Sequence, residues 1–193
     1  MGRREYDGRK CTSAVEKEEV AMWRTFGIQA LTGVAQPLFG DKLTAAMPIP
    51  PPDIDPVIHV ADTSIYQDSD RINIEPGTAN VDTVLVTAIL GPTMMQVTSQ
   101  GAPYHAHANS AMLELDIPAA DVLVRGLSSN NQSVWVGVDD SITSSGGGLA
   151  IDEIIPSGQF RMTMTGQFNT VRTSDAWVAG NISDSFLPSA QVI

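Results

Sequence analysis

The chain has 193 residues, of which 42% are hydrophobic and 17% charged, and its formal net charge is −11. This composition is too apolar for a disordered chain and too polar for a membrane-embedded one. No apolar run approaches the roughly 18–20 residues of a spanning helix, so we expect no membrane partner. Nucleic acid is not an expected partner either, because phosphate binding requires clustered Lys and Arg.

The basic residues are concentrated at the start of the chain. Through Arg24 the bases and acids are roughly balanced, whereas the rest carries five bases against many carboxylates. Residues 1–12 have the composition of an extended polar arm. A short basic head on an acidic body predicts an arm that docks on an acidic neighbour. Its partner-binding residues would be Arg3, Arg4, Arg9 and Lys10.

A helix is predicted over about residues 14–34. Ser13 and Glu16 fit a capping box, and Pro37 would end the helix. Apolar residues then recur at helical spacing, at Val20, Trp23, Gly27, Leu31 and Val34. With Met22 and Phe26 the helix is apolar on more than one side. It would pack on its own domain, or it would present Trp23 and Phe26 to another subunit.

The segment 48–56 contains five prolines and predicts a stiff, extended linker. It would divide the chain into an arm and helix (1–47), a first β unit (57–117) and a second β unit (118–193). The β units are predicted from short, alternating apolar segments separated by Gly, Pro, Ser, Asn and Asp. The predicted fold class is therefore mainly β: an N-terminal arm and helix, then one or two small antiparallel β-sandwich or barrel units.

The eleven predicted strands have β-branched and long apolar residues at period two. In the first unit they span 57–61, 71–75, 84–90, 94–98 and 111–115. In the second they span 122–124, 134–138, 149–151, 160–165, 170–172 and 177–179.

Few residues form a pattern typical of a catalytic or metal-binding site. His105 and His107 would lie on one face of a strand, a spacing compatible with a metal site, but we favour polar residues beside a turn and predict no metal. The acidic pairs Asp139-Asp140 and Asp152-Glu153 would cap turns or hold a structural calcium ion. No G-x-S-x-G, P-loop or H-E-x-x-H motif occurs, so we predict a protein that is not an enzyme and has no cofactor.

Two stretches of the β region resemble parts of known proteins. The first stretch looks like a small β module of tailed-bacteriophage virion proteins. It comprises residues 68–77, 81–89 and 94–98 and ends in His105-Ala106-His107. Residues 131–143, with Gly148, Leu149 and Phe160, are similar to a β-sandwich pattern of phage head and tail accessory proteins. The resemblance covers about residues 57–180 and implies no catalytic residue.

Together with the basic head, this resemblance implies a non-enzymatic virion structural protein. We expect a capsid decoration or cement protein, a homotrimer that binds the major capsid protein or other virion proteins through its N-terminal arm and is assembled in the host cytoplasm. A tail, neck or fibre-attachment component, with the helix bundled in a collar, is the first alternative. A receptor- or glycan-binding module that uses Trp135 and Trp177 is the second.

Overall fold

In a computed structural model the chain is mainly β, as predicted. The structure describes residues 22–101, 104–148, 150–163 and 171–192. The described strands pair only in antiparallel fashion and form three sheets, here named A, B and C. No helix in this part of the chain has the length and apolar character needed to cross a bilayer.

Sheet C takes all six of its strands from residues 40–115. Burial alternates along its longest strand, in which Asp82, Val84 and Val86 are buried, as expected for a sheet with one face on a core. In spatial order the strands are β4 (Gly40–Lys42), β9 (Met112–Leu115), β6 (Arg71–Ile74), β7 (Asp82–Gly91), β8 (Met94–Ser99) and β5 (Val57–His59).

Sheets A and B combine the C-terminal part of the chain with strands from residues 22–37. The main path of sheet A is β1 (Met22–Thr25), β16 (Ser185–Val192), β10 (Pro118–Gly126) and β13 (Gln159–Thr163), with β2 (Gln29–Ala30) beside β16 and β14 (Val171–Arg172) beside β10. Sheet B is β12 (Ala150–Ile154), β11 (Val134–Gly137), β15 (Trp177–Ala179) and β3 (Gln36–Pro37). Short 3-10 turns occupy Thr63–Ile65 and Thr173–Asp175.

The predicted N-terminal helix is wrong for residues 22–34, the part that lies within the described residues. Burial alternates over residues 23–26, with Trp23 and Thr25 exposed and Phe26 buried. Gly27 and Gly33 have φ values of +73° and +82°, which no α-helix contains. Strand β1 forms instead, paired with β16. Residues 14–21 lie outside the described part of the chain.

The Pro-rich segment does not separate an N-terminal head from the β body. It is extended, with a turn at Pro52-Asp53, as its composition predicts. However, β4 on its N-terminal side pairs with β9 on its C-terminal side, and β3 pairs with β15. After β9 of sheet C the chain enters sheet A with β10, which begins at Pro118.

One continuous buried cluster joins the three sheets. It includes Leu113 of sheet C, Val122 and Phe186 of sheet A, and Val134 and Val178 of sheet B. Because apolar residues from all three sheets leave water together, burial couples the stability of the sheets.

Ion pairs to buried carboxylates cross the boundary between sheets A and C. Arg24 of β1 donates to both oxygens of Asp70, at 3.0 and 2.5 Å. Asp116 forms one ion pair with Arg71 of β6, at an N–O distance of 3.1 Å, and another with Arg172 of β14. The two guanidinium groups therefore hold one carboxylate between strands of different sheets.

Candidate interaction surface

A groove of about 360 Å³ runs across the solvent face of sheet A, and we name it the Trp23 groove. Three neighbouring strands line it, β1, β16 and β10, with the residues Trp23, Thr25, Leu187, Ser189, Leu123 and Arg125. Strand register explains the grouping, since Ser189 lies opposite both Thr25 and Leu123, and Leu187 lies opposite Arg125. Directly opposed residues share a face of the sheet. The surface is therefore built by pairing between segments distant in sequence.

The groove combines an exposed indole with an unpaired cation. The Trp23 side chain is 44% exposed, and hydroxyl groups of Thr25 and Ser189 lie beside it. Four of the six Lys and Arg residues in the described part of the chain form ion pairs with acids, whereas Lys42 and Arg125 do not. Arg125 is thus free to meet an external carboxylate, next to apolar surface that an aliphatic or aromatic group can cover.

Strand β1 also leaves its outer edge open. The backbone N–H of Phe26 donates to Pro188 at 3.1 Å, which makes this pair hydrogen-bonded. Hydrogen-bonded and non-hydrogen-bonded pairs alternate in an antiparallel ladder. The backbone N–H and C=O groups of Trp23 and Thr25 therefore point away from β16, and no strand in the described residues pairs with that edge. Such an edge can accept a further strand.

Only two of the predicted partner-binding residues, Trp23 and Phe26, lie in the described part of the chain. Arg3, Arg4, Arg9 and Lys10 lie outside the described residues, as does the rest of the predicted arm. Trp23 lies on the surface, in the groove.

Phe26 was also predicted to contact a partner, and this prediction is wrong because Phe26 lies in the core of its own chain. Only 3% of it is exposed, and its ring packs edge-on against Phe39 at a centroid distance of 4.6 Å. The prediction assumed a helix, in which both residues would share a surface.

The two predicted histidines do come together, on a single carboxylate. Nδ1 of His105 lies 2.7 Å from Asp82, and Nε2 of His107 lies 2.9 Å from the same carboxylate. They do not lie on a strand, since His105 is in a loop and His107 forms only an isolated bridge with Met47. Nδ1 of His107 lies 3.4 Å from the carboxyl group of Glu75, without hydrogen-bond geometry.

This cluster attaches the loop before β9 to the start of β7. Asp82 also accepts the backbone N–H of His105 at 2.8 Å. Burial alone would raise the pKa of Asp82, but the hydrogen bonds from the two histidines outweigh it and lower the pKa. Among the described residues, no three His, Cys, Asp or Glu side chains are grouped as a metal site would require.

The predicted acidic pairs act locally on the backbone. Asp139 accepts the N–H of Ser141 at 2.9 Å, a turn cap of the predicted kind, and hydrogen bonds from Ser141 lower its pKa. Asp152 accepts the N–H of Glu153 at 2.8 Å on the exposed strand β12.

The tryptophans proposed for glycan stacking are poorly placed for that role. Trp177 is 8% exposed and packs with Ile142 and Ala179 in a second small cluster. Trp135 lies under the Gly-rich loop, where an ideal Cβ at Gly146 would be 2.7 Å from its ring. The exposed tryptophan among the described residues is Trp23 instead.

Two other cavities have less distinctive chemistry. One, of about 420 Å³, lies between β2–β3 and β4 and is mainly apolar. Asp41 lines it, and burial raises the pKa of that carboxyl, but its Oδ2 is inaccessible to solvent and so to a ligand in the cavity. The other, of about 950 Å³, is a wide depression between the Pro-rich segment and β8.

A buried polar row in sheet C was not foreseen from the sequence. Glu114 is 4% exposed, and its carboxyl accepts from the amide of Asn73 at 2.8 Å. Asn73 in turn accepts from the hydroxyl of Thr83 at 2.9 Å. Burial raises the pKa of Glu114 to about 7, with Asp116 and Asp175 adding like charge. Packing from β15 and the Thr173–Asp175 turn covers the side of the sheet on which Glu114 lies.

Comparison with known proteins finds no relative with which this surface can be compared. No protein-family model, curated protein sequence or solved structure matches the chain. We therefore infer the function from the surface itself.

Proposed function

We propose that this protein is a non-enzymatic structural subunit of a tailed-bacteriophage particle, of the capsid decoration type. The observation that carries the proposal is the open edge of β1 beside the exposed Trp23. The basic segment of residues 1–12 precedes this edge in the chain. A partner protein can therefore be held by strand addition at the edge and by charge at the arm.

The charge distribution supports attachment through the arm. In the described residues only Lys42 and Arg125 are bases without an acidic partner, whereas the arm contributes Arg3, Arg4, Arg9 and Lys10. An acidic body beside a basic arm favours one orientation on an acidic lattice, with the arm against the lattice and the body towards solvent.

The tail, neck or fibre alternative depended mainly on a helix that would bundle in a collar. Residues 22–34 are strand and loop. The predicted helix therefore no longer favours the tail, neck or fibre assignment. Both assignments nevertheless predict a position on the particle, and the same experiment separates them.

The test localises a C-terminally tagged chain on intact particles by gold labelling. Label over the head at lattice spacing is expected, and label confined to the neck or tail would replace the decoration assignment with the alternative. Absence of label from particles would overturn the virion role.

A second variant tests the arm. Deleting residues 1–12 is expected to abolish particle binding while the purified protein stays folded, because all the described strands and the core cluster they share lie at or beyond Met22. A larger deletion through residue 35 would be uninformative, since it removes β1 and the buried Phe26 and Leu31. Undiminished binding without residues 1–12 would show that the arm is not the attachment element.

A further inference from the structure

We propose that the Trp23 groove binds an acidic oligosaccharide, in which a neutral sugar is joined to a sugar that carries a carboxylate. A sugar ring would lie on the indole of Trp23, and the carboxylate would meet Arg125. Sugar hydroxyls would meet those of Thr25 and Ser189 between these two ends. All four are side chains on the face of sheet A, whereas a partner strand would use backbone groups at the edge of β1. The inference therefore goes beyond the proposed function and does not depend on it.

Strand register places these groups in a row across the groove. Ser189 of β16 lies opposite Thr25 of β1. Trp23 lies two residues to one side of this pair, and Arg125 lies two residues to the other, because it is opposite Leu187. With strands about 4.8 Å apart and about 3.3 Å per residue, the Cα atoms of Trp23 and Arg125 are roughly 16 Å apart. Both side chains line one groove of about 360 Å³, a volume typical of ligand sites, so a short oligosaccharide can touch both ends.

The two hydroxyl groups between the ends are suited to sugar hydroxyls. Ser189 Oγ donates to Thr25 Oγ1 at 3.4 Å, and this contact lies at the surface. A hydroxyl has one donor and two acceptor sites. Thr25 therefore still has its own proton to donate, and Ser189 still has lone pairs that accept. A sugar hydroxyl also donates and accepts, so a single one can bridge the pair.

The exposed indole provides the apolar part of the site. Trp23 is 44% exposed on the outward face of β1, and Leu123 and Leu187 also line the groove. Many pyranose rings present a face of C–H groups, and packing that face on the indole removes apolar area of both from water. An exposed aromatic ring beside aliphatic side chains favours a ligand of this kind over a small inorganic ion.

The charges on this face favour an acidic ligand. By alternation along β10, Asp121 shares the outward face with Arg125, but it is 2% exposed and accepts from Arg161 at 2.7 Å. Strand β12 ends near this part of β10 and carries Asp152 and Glu153. In the described part of the chain neither of these acids forms an ion pair with Arg125. Arg125 therefore keeps a guanidinium that can form two parallel hydrogen bonds to a carboxylate of a ligand.

An acidic peptide suits this groove less well than an acidic saccharide. A peptide that adds to β1 as a strand runs along the sheet edge, three strand spacings or about 14 Å from β10. Its carboxylates would have to reach Arg125 over two intervening strands. The groove instead crosses β1, β16 and β10 and is lined by side chains, so its ligand lies on the face of the sheet.

The test is titration of the full-length protein with two pairs of saccharides, followed by calorimetry and tryptophan fluorescence. Hyaluronan tetrasaccharide and sialyllactose contain carboxylates, and chitotetraose and lactose are their neutral counterparts. At least one acidic saccharide is expected to bind with a Kd of about 1 mM or tighter, and about tenfold more tightly than its counterpart. A peptide of alternating glutamate and valine is expected to bind more weakly than that saccharide.

Two variants separate the contributions of the ring and the charge. Trp23→Ala is expected to weaken binding of the acidic saccharide by about tenfold and to remove the fluorescence change. Arg125→Gln is expected to lower its affinity to that of the neutral counterpart and to retain the fluorescence change at saturation. Ile182→Ala and Lys42→Gln are matched controls, since they remove an exposed apolar side chain and an exposed base outside the groove. Both should leave the affinity unchanged.

Several results would overturn the proposal. These are no binding of either acidic saccharide at about 1 mM, equal binding of acidic and neutral counterparts, or equal effects of Arg125→Gln and Lys42→Gln. Tighter binding of the acidic peptide would assign the groove to a protein segment instead. Such a failure is distinct from failure of the proposed function, because particle labelling needs no saccharide. Head label without saccharide binding would reject only the saccharide site.

Discussion

Burial strongly shapes the ionisation of Glu114. Its carboxyl is buried beside Asn73, and the carboxylates of Asp116 and Asp175 lie near enough to disfavour a further negative charge. Arg71 and Arg172 are engaged with Asp116 and so do not neutralise Glu114 directly. A carboxyl in this setting retains its proton up to a pKa of about 7.

We predict that Glu114 makes the protein less stable as pH rises from about 4.5 to about 7. In this window the unfolded chain has released the proton and the folded chain still binds it, so the free energy of unfolding falls with pH. The total loss is at most roughly 3 kcal/mol and is complete above pH 7. Glu114→Gln keeps the amide contact without the charge, and urea unfolding should show its advantage growing from pH 5 to pH 8.

The matched control for this prediction is Glu153→Gln, which removes an exposed carboxyl. Its effect on stability should vary little over the same pH range. A Glu114→Gln profile parallel to that of the wild type would show that Glu114 ionises normally.

Strand β1 shows how one polar side chain selects a strand over a helix. Arg24 points inward, where it donates to Asp70 and to the carbonyl of Ile65 and lies 5.2 Å from the ring of Phe26. In a strand Trp23 and Thr25 then face solvent on the other side. The helical spacing of apolar residues predicts the wrong element because a cross-sheet ion pair is invisible to local periodicity.

We predict that Arg24→Ala lowers the free energy of unfolding by roughly 3 kcal/mol, because Asp70 would remain buried without its cation. Thr25→Ala, on the exposed face of the same strand, should change stability by no more than about 0.5 kcal/mol. Hydrogen exchange should locate the damage in β1 and the facing edge of β16. If Arg24→Ala costs no more than Thr25→Ala, the ion pair contributes little and the strand is held by the core alone.

The sequence predicts those strands in which apolar residues alternate with polar ones and which turn residues bound on both sides. Trp177–Ala179 is predicted with its observed bounds, and Met94–Ser99 differs by one residue. Strand β16 is missed because Pro188 argues against a central strand. The carbonyl of Pro188 accepts a hydrogen bond from Phe26, just beyond the end of β1. The N–H that proline lacks would point to the same side, so its absence leaves the pairing of β16 with β10 intact.

The candidate surface depends on which strands are neighbours in the sheet, and local sequence patterns do not predict that. Trp23 is one of the partner-binding residues that the sequence predicts, and the alternation of Val122 and Val124 with Leu123 and Arg125 indicates which of them face outward. The neighbourhood of Trp23 and Arg125 is not identifiable, since 101 positions separate them and β16 must lie between their strands.

At the scale of the whole molecule, three sheets share one core although the strand order divides at residue 117. Sheet C is contiguous in sequence, whereas sheets A and B are completed by residues 22–37, which the chain passes through before it builds sheet C. Buried residues from both sides of that division touch within one cluster, and Thr173 donates to Leu115 at 2.6 Å across it. Neither side keeps its apolar face covered if the other unfolds.

We therefore predict a single cooperative unfolding transition. All three tryptophans lie in strands of sheets A and B, and Tyr66 and Tyr104 lie in the segment that builds sheet C, so fluorescence and near-ultraviolet tyrosine signals report the two sides separately. Leu113→Ala in sheet C and Phe186→Ala in sheet A should each cost roughly 2–5 kcal/mol and move both signals together. A Leu113→Ala shift seen by tyrosine but not by tryptophan would instead reveal two independently folding units, because a core that is truly shared transmits a cavity in one sheet to the stability of the others.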